Sequence, residues 1–233
     1  MSCTALLAIA MASFVGTHLI LSHPLRAPLV RVVGDRGFLG IYSLVAALTL
    51  GATIYVARIA PSQPPLWVAP VWLWNIVTVA MLLAAILLAG SLVGNPAMVD
   101  PTGEPRFPEA PRGVLAITRH PMLWAFMLWA ICHALIWSTP ANLVVTGGIG
   151  LLALIGSLAQ DRKKLRTVGE PWRQWQARTG YVPFSAQLSG RLSWRAALPG
   201  PLILIGGIII WLGATWLHPL LGGPVAGPWM WLR

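Results

Sequence analysis

The sequence predicts an all-α integral membrane protein: a single domain across residues 1–233 that forms a bundle of about six transmembrane helices. Hydrophobic residues make up 57% of the chain and charged residues only 9%, with a mean hydropathy of +0.73. A soluble domain carries roughly a quarter charged residues, so this chain lacks the side chains to cover a water-facing surface. Backbone groups in lipid must be paired internally, and no alternating barrel pattern is present, which leaves a helical bundle.

Six uncharged runs have about the length that crosses the hydrocarbon core, roughly twenty residues each. No Lys or Arg precedes the first run, which favours a retained helix over a cleaved signal peptide. Pro140 separates the fourth run from the fifth, with Ser138 or Thr139 as the expected helix cap. The predicted spans are residues 4–22, 38–57, 72–94, 121–137, 142–158 and 201–217.

The basic residues predict the orientation of these spans, because cytoplasmic loops carry an excess of Lys and Arg. Fourteen of the sixteen basic residues lie in three alternate loops, at residues 23–37, 95–119 and 159–200. Only Arg58 and Arg233 remain for the other side. We therefore expect a multi-pass protein of a bacterial-type inner membrane, with basic cytoplasmic loops and both termini on the periplasmic side. Anionic lipid accounts for the net charge of +10, and no nucleic-acid partner is needed.

Two cytoplasmic segments have a distinctive composition. Residues 95–113 are too rich in proline for regular structure and are expected to lie over the cytoplasmic end of the bundle. Residues 159–180 form the largest polar block, in which Trp172 and Trp175 are three residues apart beside Arg173 and Arg178. This spacing predicts an amphipathic helix in the membrane interface, with the tryptophans in the lipid and the arginines at its surface.

The candidate functional residues are histidines, because an ionisable group within a membrane span often marks a functional site. His133 lies in an uncharged run from residue 120 to residue 160, and helical spacing places it on one face with the aromatic residues Phe126, Trp129 and Trp137. Such a face suits a flat, apolar ring that contains iron. His18 has Gly16, Thr17 and Ser22 nearby, and the fifth span brings small residues that permit close approach, at Gly147, Gly148, Gly150 and Gly156. Ordinary helix packing is the simpler interpretation of these glycines.

A second candidate site is the sequence TRHP at residues 118–121. Pro121 suits the first turn of a helix, and Arg119 would then stand beside the positive helix end, where a carboxylate or phosphate binds favourably. Haem propionates, a lipid headgroup and a nucleotide all fit that description. The two cysteines, Cys3 and Cys132, form no Cys-x-x-Cys motif, which argues against zinc, an iron–sulfur cluster or covalently attached haem.

Together these residues resemble the NnrU family, which includes the plant and cyanobacterial 15-cis-zeta-carotene isomerases. The resemblance rests on five stretches spread over nearly the whole chain. They are GTHLILSHPLR (16–26), GFLGIYSLV (37–45), ITRHPMLWAFMLWAICHAL (117–135), DRKK (161–164) and PFSAQLSGR (183–191).

The resemblance implies a membrane protein that holds haem b non-covalently between two axial histidines, which map onto His18 and His133. It implies a cis–trans isomerase or redox protein for a hydrophobic polyene. The plant enzymes carry a cysteine at the position of Ala130, so any ligand exchange through that cysteine is not expected here. One alternative is a non-enzymatic haem protein that binds nitric oxide or transfers electrons. Another is a membrane enzyme similar to isoprenylcysteine carboxyl methyltransferase, which also carries Arg-His-Pro.

Depth in the membrane leaves the choice of axial ligands open. His133 lies thirteen residues past His120, roughly 20 Å along a helix, whereas His18 lies near the cytoplasmic end of its own span. Two ligands of one iron must share a depth, so His18 pairs more simply with His120. His120 or His23 therefore stays an alternative axial ligand, with Arg119 as a cofactor-binding residue.

Overall fold

The computed structural model describes residues 2–98 and 107–232, and within these ranges the chain is all helical, with no β-strand. The all-α class is confirmed. The α-helices, numbered in chain order, are α1 Cys3–Ser22, α2 Arg26–Ile59, α3 Val71–Ser91, α4 Val114–Ile117, α5 Pro121–Ile136, α6 Pro140–Thr167, α7 Glu170–Arg178, α8 Ser185–Leu188 and α9 Pro201–Leu217. Three short 3₁₀ helices cover Trp194–Ala197, Pro219–Leu221 and Gly227–Leu232.

A helix lies at each of the six predicted spans, but the helices differ in length. Helices α1, α2, α3 and α6 are long and apolar enough to cross a membrane. Helices α5 and α9 have 16 and 17 residues, which at 1.5 Å per residue is roughly 25 Å against a hydrocarbon core of about 30 Å. The structure supports a helical membrane protein, and six full crossings stay a prediction.

The chain divides into two compact units, of which the first comprises residues 1–69 and 133–159. Its core joins Met11, Phe14 and Val15 of α1 to three residues of α6, namely Val144, Ile149 and Leu152. Gly148 permits this packing, because a Cβ atom there would lie 2.4 Å from the Met11 side chain. The close approach predicted for this glycine is confirmed.

The structure corrects the expected loop at residues 23–37, since helix α2 begins at Arg26. Its first eight residues are separated from the rest by a kink at Gly34, where φ is 72° and ψ is 171°. L-residues with a side chain rarely adopt that conformation, so glycine allows the bend. An ion pair between Arg26 and Asp35, at 3.4 Å, joins the two sides of the kink.

The connection between α5 and α6 is fixed by the segment that precedes α3. Ser138 is fully buried; its Oγ donates to the carbonyl of Trp67 at 2.7 Å and accepts from the Trp67 N–H at 2.9 Å. Thr139 Oγ1 accepts from the N–H of Asn142 at 3.3 Å. Of the two predicted caps, Thr139 therefore caps α6 and Ser138 holds the neighbouring segment.

The second unit comprises residues 70–132 and 160–233. Helices α3 and α9 pack closely, because a Cβ atom at Gly207 would lie 2.8 Å from the Cα atom of Ile86. The core beside them contains Leu87 of α3, Val114 and Leu115 of α4, and both tryptophans of α7. Irregular chain at residues 95–98 and 107–113 flanks this core, and residues 99–106 of the predicted proline-rich loop lie outside the described ranges.

Trp172 and Trp175 contradict the prediction that they face lipid. A helix does form around them, α7, but both side chains are 0% exposed and belong to the protein core. The ring of Phe107 lies 6.2 Å from that of Trp172 and 6.1 Å from that of Trp175. Helix α7 is amphipathic, but other residues of this chain cover its apolar side.

Candidate functional site

The segment Thr118–Pro121 connects α4 to α5 and is held by the chain after α7. Thr118 Oγ1 donates to the carbonyl of Tyr181 at 2.7 Å, and the Arg119 N–H donates to the carbonyl of Gly180 at 2.9 Å. The Thr118 oxygen also accepts from the N–H of His120 at 3.3 Å. Pro121 is the first residue of α5, as predicted. These bonds aim the Arg119 and His120 side chains at the charged end of α6.

Asp161 accepts hydrogen bonds from both of these side chains. Arg119 Nε lies 3.1 Å from Oδ1 and 3.0 Å from Oδ2, and its terminal nitrogen lies 2.6 Å from Oδ2. His120 Nε2 lies 2.8 Å from Oδ1. The side chains of Arg119, His120 and Asp161 are 12%, 0% and 11% exposed. The anion predicted beside Arg119 is thus supplied by the chain itself.

Asp161 lies beyond the predicted span 142–158. Its pKa is lowered by its two partners. Burial alone raises the pKa of a carboxyl group. The hydrogen bonds from His120 and Arg119, together with the positive charges of both partners, outweigh burial and lower the pKa of Asp161 to about 2. The carboxylate is therefore charged at any ordinary pH.

The second nitrogen of His120 is also in use. Gln160 Nε2 donates to the carbonyl of Ala97 at 2.7 Å, which turns its Oε1 towards His120 Nδ1 at 3.1 Å. An amide oxygen can only accept, and so can the carboxylate of Asp161. Both ring nitrogens of His120 are therefore engaged by oxygen atoms on α6, and neither is open to a metal in this arrangement.

Aromatic rings surround these side chains. The rings of Trp172 and Tyr181 lie 6.2 and 5.8 Å from the His120 ring, and the Arg119 guanidinium lies 5.3 Å from the Tyr181 ring centre. Lys164, one turn beyond Asp161, lies 5.9 Å from the Trp172 ring centre and donates to the carbonyl of Pro96 at 2.7 Å. Ring faces attract cations, so the cluster joins α5, α6 and α7 through buried charge.

His18 has a different environment, in the first unit. Its Nδ1 lies 3.0 Å from the carbonyl oxygen of Phe14, one turn earlier on α1. A carbonyl oxygen can only accept a hydrogen bond, so Nδ1 carries the hydrogen and donates it, and Nε2 keeps its lone pair. The half-buried ring lies 4.3 Å from the Phe14 ring and 5.2 Å, edge-on, from the Tyr42 ring. A histidine that ligates iron normally has this second hydrogen bond.

His133 is half-buried near the end of α5, and its helix end is held from outside the helix. Its carbonyl accepts from Asn142 Nδ2 at 3.0 Å, and the carbonyl of Leu135 accepts from Trp67 Nε1 at 2.8 Å. Of the predicted aromatic face, Phe126 and Trp129 lie on α5 with His133. Trp137 lies one residue beyond the helix, although its N–H still bonds to the His133 carbonyl at 3.0 Å.

The two remaining histidines, His23 and His218, lie at the C-terminal ends of helices. His23 is the C-cap of α1 and its N–H bonds to the carbonyl of Leu19 at 3.1 Å; His218 occupies the corresponding position of α9. Across residues 2–98 and 107–232, no three or more His, Cys, Asp or Glu side chains form a group that could hold a metal ion. Haem needs only one or two imidazoles, and the donor chemistry of His18 fits it.

Sequence reasoning missed Asp161 and Gln160, although one signal pointed to Asp161. It is one of only six acidic residues and the first charged residue after Arg119. A buried arginine needs a carboxylate partner. Asp161 directly follows the uncharged run 120–160, so it is the first carboxylate after Arg119 that could supply one. The amide of Gln160 carried no comparable signal.

Comparisons with known proteins identify the family of this chain. The family model described as "NnrU protein" matches residues 6–226. The 15-cis-zeta-carotene isomerase of Zea mays is 30% identical over 116 residues, or 47% of this chain, and that of Arabidopsis thaliana is 30% identical over 119 residues, or 48%. Each match covers 31% of the relative's own length. No solved structure matches the chain. With a family match across most of its residues, this chain belongs to the NnrU family.

Proposed function

We propose that this chain is a membrane haem b protein of the isomerase type, acting on a lipid-soluble polyene. The observation that carries the proposal is His18, whose Nδ1 is bound by the Phe14 carbonyl so that Nε2 is left as a ligand. The similarity to two 15-cis-zeta-carotene isomerases supports the reaction class. Apolar helices with many exposed hydrophobic side chains suit a substrate that dissolves in lipid.

In this proposal His18 and His133 are the axial ligands of the haem. His120 is the poorer alternative, because ligating a metal would require it to give up its bond to Gln160 or Asp161. Haem would supply an iron that exchanges electron density with a conjugated double bond, which lowers the barrier to rotation. The chain would hold the polyene beside the ring and exclude water from it. The Phe14 carbonyl would fix the tautomer of His18.

The test is the absorption spectrum of the purified protein and of four histidine variants, one of which is His120→Gln. Protein from haem-replete cells should show the Soret band of low-spin haem b, and acid–acetone should extract the pigment. His18→Ala and His133→Ala should each lose the pigment or convert it to a five-coordinate, high-spin form. His218→Ala, which removes a histidine at the end of α9 that is not a ligand candidate, is the control and should leave the spectrum unchanged.

Three results would contradict the proposal in different ways. A colourless protein that does not respond to added hemin would exclude haem altogether. An unchanged low-spin spectrum in His133→Ala, with loss in His120→Gln, would identify His120 as the second ligand. Coloured protein that binds nitric oxide but does not isomerise a cis-polyene in liposomes would favour the non-enzymatic alternative. The structure does not favour the methyltransferase alternative. That alternative would need the His120 ring to face a ligand, and the ring is buried and bonded to Gln160 and Asp161.

A further inference from the structure

Helix α9 is too short to accompany α3 over its whole length. The two helices are antiparallel: Gly207 lies against Ile86, and the earlier residue Gly206 lies nearest to the later residue Ala89. Ten residues beyond Gly207 the helix ends at Leu217, level with Ile76 of α3. By the same residue count, residues 71–75, at the start of a helix that is long and apolar enough to cross a membrane, lie beyond the end of α9.

Residues 218–232, which we name the hook, take that place. Trp231 Nε1 donates to Asn75 Oδ1 at 2.9 Å, in the unaccompanied turn of α3. Trp229 Nε1 donates to Thr215 Oγ1 at 3.0 Å, near the end of α9. Gly227 packs so closely on Thr215 that a Cβ atom would lie 2.6 Å from its methyl group. The hook thus folds back to the depth at which α3 begins.

The outward side of the hook is apolar. Leu220, Leu221 and Leu232 are 69%, 65% and 77% exposed, and the chain has no Lys, Arg, Asp or Glu between residues 196 and 232. Exposed apolar side chains also occur along α9, where Ile209 is 64% exposed. Trp72, Trp216 and Trp231, each more than half exposed, lie at the same end of the unit. Tryptophan concentrates at the boundary between lipid tails and water.

We propose that the hook is an interfacial anchor, inserted among the phospholipid headgroups and upper acyl chains at the end where α9 stops. An exposed apolar patch of this kind is unfavourable in water, and its depth beside the first turn of α3 places it in the membrane interface. A groove of about 290 Å³ between the hook and α9, lined partly by Leu220 and Val225, would be filled by acyl chain. The proposal does not depend on haem or on isomerase activity.

Nitroxide spin labels at single cysteines test the depth of the hook in phosphatidylcholine–phosphatidylglycerol liposomes. The background carries Cys3→Ser and Cys132→Ala, and the labels are placed at Leu220 and Leu232, which are exposed and whose replacement disturbs little packing. Controls are Ile209, exposed in the middle of α9, and Ser189, exposed in a polar segment. Accessibility to oxygen, which enters lipid, is compared with accessibility to a water-soluble nickel chelate.

The expected ratio of oxygen to nickel accessibility at Leu220 and Leu232 lies between that of Ile209 and that of Ser189. Ratios equal to that of Ser189 would place the hook in water and overturn the proposal. Labels shielded from both reagents would show protein cover, such as a second copy of this chain, and would overturn it equally. Trp231→Phe, which removes the bond to Asn75, should raise nickel accessibility and label mobility at Leu232. No change there would show that this bond does not hold the hook at its depth.

Discussion

Removing the Asp161 carboxylate should destabilise the protein far more than removing an exposed carboxylate. Asp161 is the shared carboxylate partner of Arg119 and His120, whose side chains are almost fully buried. Asp161→Ala leaves the Arg119 guanidinium without its counter-charge and His120 Nε2 without its partner, in a site of low polarity. The change does not disturb the apolar packing of the helices, so its effect reports on the charge cluster.

Two estimates bound the size of the effect. The pKa of Asp161 falls from 3.8 to about 2, and at 1.36 kcal/mol per unit its charged form gains about 2 kcal/mol from its surroundings. Breaking a buried ion pair by deleting one partner costs about 3–5 kcal/mol, because the remaining charge is stranded. We expect a loss of about 3 kcal/mol, which for a chain of this length lowers the unfolding midpoint by roughly 6–12 °C.

The measurement is the apparent unfolding midpoint in detergent at pH 7, followed by size-exclusion chromatography after heating at one fixed rate. Glu170→Ala is the matched control: its ion pair with Arg173 is similar in length, at 3.1 Å, but the two side chains are 58% and 73% exposed. Such pairs contribute at most about 1 kcal/mol. Asp161→Asn keeps the shape and should lose nearly as much as Asp161→Ala. Equal midpoints for the Asp161 and Glu170 variants, or full recovery in Asp161→Asn, would refute the role of buried charge.

Three further outcomes follow from the structure. The pKa of Asp161 is lower in the folded protein than in the unfolded chain, so the charged carboxylate stabilises the fold fully above pH 3.8, and this stabilisation is lost as the pH falls towards about 2. The difference in unfolding midpoint between wild type and Asp161→Asn should therefore shrink over that pH range. A constant difference would contradict the lowered pKa of Asp161. Gly207→Ala should lower the midpoint because its Cβ meets the backbone of α3, whereas Gly213→Ala, with open space on the same helix, should be neutral or slightly stabilising. If the basic loops are cytoplasmic, a cysteine at exposed Ser62 should react with an impermeant reagent from outside and one at exposed Ser189 should not, with the reverse pattern refuting the topology.

The positions of the six long helices were predictable because each rests on local signals. Uncharged runs, the proline at the start of α5 and the cap at Thr139 all act within a few residues. Two long-range contacts join segments that flank these helices. In the first unit Thr4 bonds to Gln63, and in the second Gly113 bonds to Ala196. Which side is cytoplasmic stays a prediction.

The buried tryptophans and the hook were not predictable from local pattern. Trp172 and Trp175 show the spacing of an interfacial helix, and only the packing of Phe107 and α4 against them determines that protein covers them. The hook depends on a difference in length between α3 and α9, which matters only once the two are paired. In both cases the sequence shows an apolar surface but does not show what lies against it.

The same limit explains why depth alone suggested His120 as an iron ligand. The depth of a histidine in the membrane is estimated from its position along a helix. Binding a metal requires an imidazole nitrogen with an available lone pair, and this depends on what each ring nitrogen contacts. His120 has a carboxylate on one nitrogen and an oriented amide oxygen on the other, so both nitrogens are engaged with α6. His18 has one carbonyl partner from its own helix, which leaves the second nitrogen as a donor of electrons. The Arg-His-Pro motif therefore serves to join helices, and the proposed metal chemistry rests with the histidine whose partner is local.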